Sequence, residues 1–169
     1  MMQKIISMSF FWISLLGTLG IFQTMQAAKH KELGDVRWTR DYETALDLSK
    51  ESGKPVLILF QEVPGCSGCQ KYGQQTLSEP RIVKAIEENF VPLAIFNNRG
   101  GKDREILKQY NERAWNYQVM RFIDADEKEI IPRKGNVWNV SDTAQRMIEA
   151  LKEHGNSVPE ELLGIVKER

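Results

Sequence analysis

Val56-Leu57-Ile58-Leu59-Phe60-Gln61-Glu62-Val63-Pro64-Gly65-Cys66-Ser67-Gly68-Cys69-Gln70-Lys71-Tyr72 joins a strand pattern to a helix pattern across a short turn. Its first five residues, Val56 to Phe60, form an apolar run with the composition of a strand buried on both faces. Val63-Pro64-Gly65 turns the backbone, and Gln70-Lys71-Tyr72 continues helically. Cys66 therefore falls near the first turn of a helix, where unpaired N–H groups and the helix dipole favour a thiolate. A thiol placed this way ionises below its usual pKa of about 8.5, and the thiolate is the nucleophile. Cys69, one turn further in, is expected to be buried and less acidic. These two are the only cysteines in the chain. A bridge closing so short a loop constrains the unfolded chain very little, so the pair reads as chemistry rather than as a staple.

Working outward, Tyr42, Ala45, Leu46 and Leu48 carry helical spacing through Asp41 to Ser52, and Gly53 ends that helix before Lys54-Pro55 launches the strand. Arg37-Trp38-Thr39 reads as a short strand ahead of it. Beyond the cysteines, Ser78 and Pro80 open a helix whose apolar face is Ile82, Val83, Ile86 and Phe90. Val91 to Phe96 is a second buried strand with Pro92 at its start. Asp103 caps a helix reaching Tyr110. Val119 to Asp124 and Glu129 to Ile131 flank a hairpin turn, Arg121 standing out as a charge in the first of these apolar strands. Ser141 caps an amphipathic helix with Ala144, Met147, Ile148 and Leu151 on one face, closed by His154-Gly155, and Glu160 to Val166 forms a last short helix. The order β–α–β–α–β–α–β–β–α gives an α/β sandwich, a central mixed β-sheet of four to five strands flanked by helices.

Acidic and basic residues balance at 23 each, which leaves no basic face for nucleic acid or an anionic membrane. Residues 1–28 contain one charge, Lys4, then an uncharged stretch from Ile5 to Phe22, then Ala27-Ala28. This is the pattern of a secretory signal peptide, with retention as an anchor through residues 5–22 as the alternative. The expected location is exported, periplasmic or otherwise extracytoplasmic, with a membrane as partner only if the segment is retained. About 140 residues remain, enough for one domain: a polar lead-in at 29–36, the α/β domain at 37–154 and a C-terminal helical extension at 155–169.

The order of elements, the CxxC at a strand-to-helix junction and the closing hairpin and helix resemble the thioredoxin-like fold family. Gly53-Lys54-Pro55-Val56-Leu57-Ile58, Glu79-Pro80-Arg81-Ile82 and Asn89-Phe90-Val91-Pro92 resemble its exported thiol–disulfide proteins in particular. The resemblance implies a disulfide oxidoreductase in which Cys66 attacks and Cys69 resolves. It implies a redox-active Cys66–Cys69 disulfide with no further cofactor. Its partners would be protein thiols or disulfides and an upstream redox partner, and the chain would act as a monomer.

Three positions depart from the family pattern. Gly65 stands where thioredoxins place a tryptophan before the first cysteine. Leu59 or Phe60 occupies the place of their buried aspartate, which leaves Glu62 in the turn as the nearest acid and a tuning candidate. Gln118 aligns with their cis-proline. The loop before that strand should face Cys66, so Trp115, Tyr117 and Gln118 are candidates for substrate binding, and Lys71 is a second tuning candidate. His30 and His154, the only histidines, make no zinc spacing with the cysteines, so no metal is assigned. Two thiolates alone can hold Cu(I), which makes a soft-metal transfer module the alternative, and a non-catalytic protein-binding domain a third reading.

Overall fold

β1 (Val56–Gln61) runs through the middle of the sheet with every residue buried. The computed structural model describes residues 30–115 and 118–168. Residues 1–28, with the signal or anchor expectation, and Tyr117 lie outside the described residues. The sheet order is β2-β1-β3-β4, with β2 at Val91–Phe96, β3 at Val119–Ile123 and β4 at Lys134–Gly135. β1 pairs parallel to β2 and antiparallel to β3, so the sheet is mixed as expected. Alternation along β1 feeds two cores: Leu57 and Leu59 join Tyr72, Phe90, Phe122 and Met147 on one face. Val56, Ile58 and Phe60 join Tyr42, Leu46, Leu93 and Ile95 on the other. Truncating one of these buried leucines to alanine costs about 2–5 kcal/mol.

Among the described residues six helices flank the sheet: α1 (Tyr42–Ser52), α2 (Ser67–Gln75), α3 (Pro80–Asn89), α4 (Lys102–Gln109), α5 (Val140–His154) and α6 (Glu160–Lys167). α2 and α3 supply the crossover that lets β1 and β2 run parallel. Expected serine and aspartate caps shift to neighbours. Pro80 is the first residue of α3, so its cap is Glu79, whose carboxylate accepts the Ile82 N–H at 2.8 Å. Asn139 caps α5 by accepting the Asp142 N–H at 2.8 Å, and Asp103 instead binds Arg40. The hairpin turn forms, with Asp124 Oδ1 accepting the N–H groups of Asp126 and Lys128. Pairing at its far arm shrinks to the bridge Ile123–Glu129, and the ladder resumes only at Lys134–Gly135, past Pro132, which has no N–H to give. The segment Arg37 to Thr39 likewise makes one bridge, Thr39 to Leu93.

The lead-in does not stand apart as a solvated tail. A 3-10 turn at Lys31–Leu33 packs on α2, with Glu32, Leu33 and Val36 buried. The C-terminal helix α6 packs too, placing Leu162 and Ile165 in the core beneath α5. No helix among the described residues is long and apolar enough to cross a membrane.

Candidate active site

The chain leaves β1 at Gln61 and turns through Glu62-Val63-Pro64-Gly65 before α2 starts at Ser67. Asn98, just past β2, grips the turn twice: its Oδ1 accepts the Val63 N–H at 3.1 Å, and its Nδ2 donates to the Pro64 carbonyl at 3.1 Å. Gly65 is tightly enclosed. A Cβ there would stand 2.3 Å from the Glu62 carbonyl oxygen and 2.8 Å from Cys69 Cβ, so this turn admits no side chain at the position before Cys66.

Cys66 is the N-cap of α2 in an extended conformation, and its side chain is exposed. Cys69 is buried, 1% exposed, with its Sγ 3.7 Å from that of Cys66. The expected asymmetry is present. The backbone N–H of Cys69, above all, lowers the Cys66 pKa. The Cys69 thiol and the Gly68 N–H act in the same direction, against partial desolvation and the charge of Glu62. Burial, followed by the neighbouring Cys66 sulfur and Glu62, pushes the Cys69 thiol up to about 12. The surroundings favour the thiolate at Cys66 and the protonated thiol at Cys69.

The structure brings Glu62 to the pair: its carboxylate and the two Sγ atoms lie within 4.8 Å of one another. Lys71 is exposed on α2 and is not among the groups acting on either thiol. Trp115 is 60% exposed, with a left-handed backbone (φ 62) and its N–H donated to the Asn97 carbonyl at 3.1 Å. Asn97 adjoins Asn98, so the Trp115 loop is tied to the same loop that grips the turn. Gln118 departs from its expected contact role. It is fully buried, and its Oε1 accepts the Val137 N–H at 3.0 Å, so the side chain braces the loop from within. Arg121, the charge in an apolar strand, pairs with Glu112 and Glu129.

Two residues near the cysteines escaped sequence reasoning. Glu32 is 4% exposed, and its Oε1 accepts the Gly65 N–H at 2.8 Å. Gln61 is fully buried and donates from Nε2 to the Glu32 carbonyl at 3.0 Å and to the Cys69 carbonyl at 3.4 Å. A glutamate among Lys29-His30-Lys31 reads as solvated, and no local pattern marks it. Gln61 did carry a signal, as a polar residue ending a strand buried on both faces.

A family model described as thioredoxin-like matches residues 37–125. The chain belongs to the thioredoxin-like family. Among curated proteins, the thioredoxin-related protein DsbJ of Chlamydia pneumoniae is 26% identical over 114 residues, 66% of this chain and 33% of that protein. The chain thus spans about a third of the length of the curated relative it matches. Among solved structures, the DsbH oxidoreductase superposes with a TM-score of 0.58 at 21% identity, covering 77% of this chain and 94% of the other. A thioredoxin from Thermus thermophilus gives 0.57 at 19%, covering 71% and 90%. These likenesses show the thioredoxin-like fold, and the CxxC pair sits at its strand-to-helix junction. The family match begins at Arg37, so Glu32 and its 3-10 turn lie ahead of it.

Proposed function

We propose that this chain is an exported thiol–disulfide oxidoreductase acting on protein substrates through Cys66 and Cys69. The observation that carries the reading is the split between the two sulfurs, one exposed with its pKa lowered, the other buried with its pKa raised to about 12, 3.7 Å apart. The Cys66 thiolate attacks one sulfur of a substrate disulfide, forming a mixed disulfide and expelling the other sulfur as thiolate. Cys69 then gives up its proton and attacks Cys66 Sγ. The second substrate thiol leaves, and the protein holds a Cys66–Cys69 disulfide, with the substrate reduced by two electrons. A dithiol partner resets the pair by the reverse exchange. Closing the bond needs the sulfurs to approach from 3.7 Å to about 2.05 Å, within reach of side-chain rotation in one helical turn. Export rests on residues 1–28.

Insulin reduction by a dithiol-coupled assay tests the reading. Cys66→Ser is expected to lose all exchange, and Cys69→Ser to accumulate mixed disulfides. Equal turnover by wild type and Cys66→Ser would end it.

A second reading is favoured by the convergence of Glu62, Cys66 and Cys69. Two thiolates and a carboxylate suit a soft or borderline cation with one position left open for transfer. Titration of the reduced protein with Cu(I) against a competing chelator checks it. Tight binding of one equivalent with no disulfide turnover supports transfer, and its absence removes this alternative.

A further inference from the structure

We infer that Glu32, carried on the 3-10 turn ahead of the family domain, is a positioning residue that clasps the CxxC turn and holds Cys66 in its helix-capping conformation. The inference rests on the oxidoreductase reading and extends it to a residue outside the family match.

Three contacts carry it. The Glu32 carboxylate accepts the N–H of Gly65, the residue next to the nucleophile, at 2.8 Å. Its carbonyl accepts Gln61 Nε2 at 3.0 Å, and that same amide reaches the Cys69 carbonyl at 3.4 Å. One turn of chain therefore holds the residue before the attacking cysteine and the peptide after the resolving one. The third contact is the close seating of the turn on α2. A Cβ on Gly73 would stand 1.9 Å from the Lys31 carbonyl oxygen, and one on Gly34 (φ 64) 2.4 Å from the Leu77 carbonyl carbon. Glycine at both sites lets backbone meet backbone, and Trp38 Nε1 ties the turn down by donating to the Leu33 carbonyl at 2.9 Å.

A carboxylate buried to this degree with a backbone N–H as its hydrogen-bond partner constrains that peptide strongly. Orienting the Gly65 peptide orients Cys66 at the N-cap, where its extended backbone sets how closely its sulfur faces the Gly68 and Cys69 N–H groups that lower its pKa. Without the clasp the peptide keeps the Asn98 bond to its Pro64 carbonyl at 3.1 Å but loses the bond at its Gly65 N–H, and that aim loosens. The titratable groups facing Cys66 are Cys69 and Glu62. Neither is altered by substitution at position 32.

The test is the pH dependence of Cys66 alkylation by iodoacetamide on the reduced full chain, for wild type, Glu32→Ala and Glu32→Gln. Glutamine keeps an acceptor oxygen for the Gly65 N–H and removes the charge. The expected result is a midpoint raised by about one pH unit in Glu32→Ala and unraised in Glu32→Gln. A purely structural role would lower the melting temperature of Glu32→Ala and leave the midpoint in place, which overturns the inference. Equal displacement of both variants also overturns it, because charge and not the hydrogen bond would then be responsible. A wild-type midpoint at the ordinary thiol value instead defeats the oxidoreductase reading, and the clasp with it.

Discussion

Two walls brace the turn before Cys66 and are built in opposite ways: Glu32 holds Gly65, while Asn98, next to the residue that holds Trp115, grips Val63 and Pro64. On one side the 3-10 turn Lys31–Leu33 lies against α2 through backbone contacts that only glycine permits, with a buried carboxylate at its centre. On the other side the loop leading to Trp115 is anchored at its root by ions and open at its tip. Glu112, with a side chain 2% exposed, accepts Arg121 Nε at 2.8 Å and Arg133 Nε at 2.7 Å, while Trp115 stands 60% in solvent. The contrast teaches a division of labour. The packed wall controls the geometry, and hence the ionisation, of the nucleophile. The open wall leaves an aromatic side chain in solvent, and on the proposed function that is where a protein substrate would dock.

Breaking the root of the open wall has the largest expected effect. Glu112→Ala leaves Arg121 short of one buried partner and should cost about 3 kcal/mol, the lower end for a broken buried pair because Glu129 and the Tyr110 carbonyl still hold Arg121. Chemical denaturation measures it, and the Cys66 alkylation midpoint should not move. A moved midpoint would mean that the walls are not independent. Gly73→Ala attacks the packed wall. Helix propensity alone would favour alanine by about 0.5–1 kcal/mol. The clash with the Lys31 carbonyl should reverse that sign to a loss of about 1–3 kcal/mol, this time with a raised midpoint. A stabilised variant would show that the turn is loosely seated.

Trp115→Ala should change stability by no more than about 0.5 kcal/mol. In the insulin assay its kcat/KM should fall about tenfold, the weight of an interface aromatic, while alkylation by iodoacetamide keeps its wild-type rate. An equal fall in both would place Trp115 in the thiol chemistry rather than in docking. A pH dependence arises at the packed wall, from the buried Cys69 thiol. The unfolded chain releases the Cys69 proton first, so the reduced fold binds more protons than the unfolded state and its stability falls as pH rises from 9.0 toward about 12. Denaturation of reduced wild type against Cys69→Ala isolates this slope, which should vanish in the variant.

The strand, turn and helix around the cysteines were legible because each is a local pattern. The run Val56 to Phe60, the turn at Val63-Pro64-Gly65 and the helical residues behind Cys66 each follow from side-chain chemistry within a few positions. The burial of Gln118 was not legible in the same way, and Glu62, named as a tuning candidate from the sequence, owed its place beside both sulfurs to distant contacts. Gln118 lies ahead of a strand whose neighbours decide that its amide is buried on Val137, and Glu62 turns inward because Asn98, far along the chain, holds the turn behind it.

The residues in order were enough for the strand–turn–helix at the cysteines, most of the helices and the family. Strand periodicity, helix ends and the direction of a helix dipole are properties of neighbouring residues. Tertiary structure alone decided that a charged stretch before the domain folds back to place Glu32 under Gly65, and that Trp115 remains in solvent. Such outcomes depend on which backbones can approach each other across space, and a glycine's missing side chain does not name the segment that fills its place.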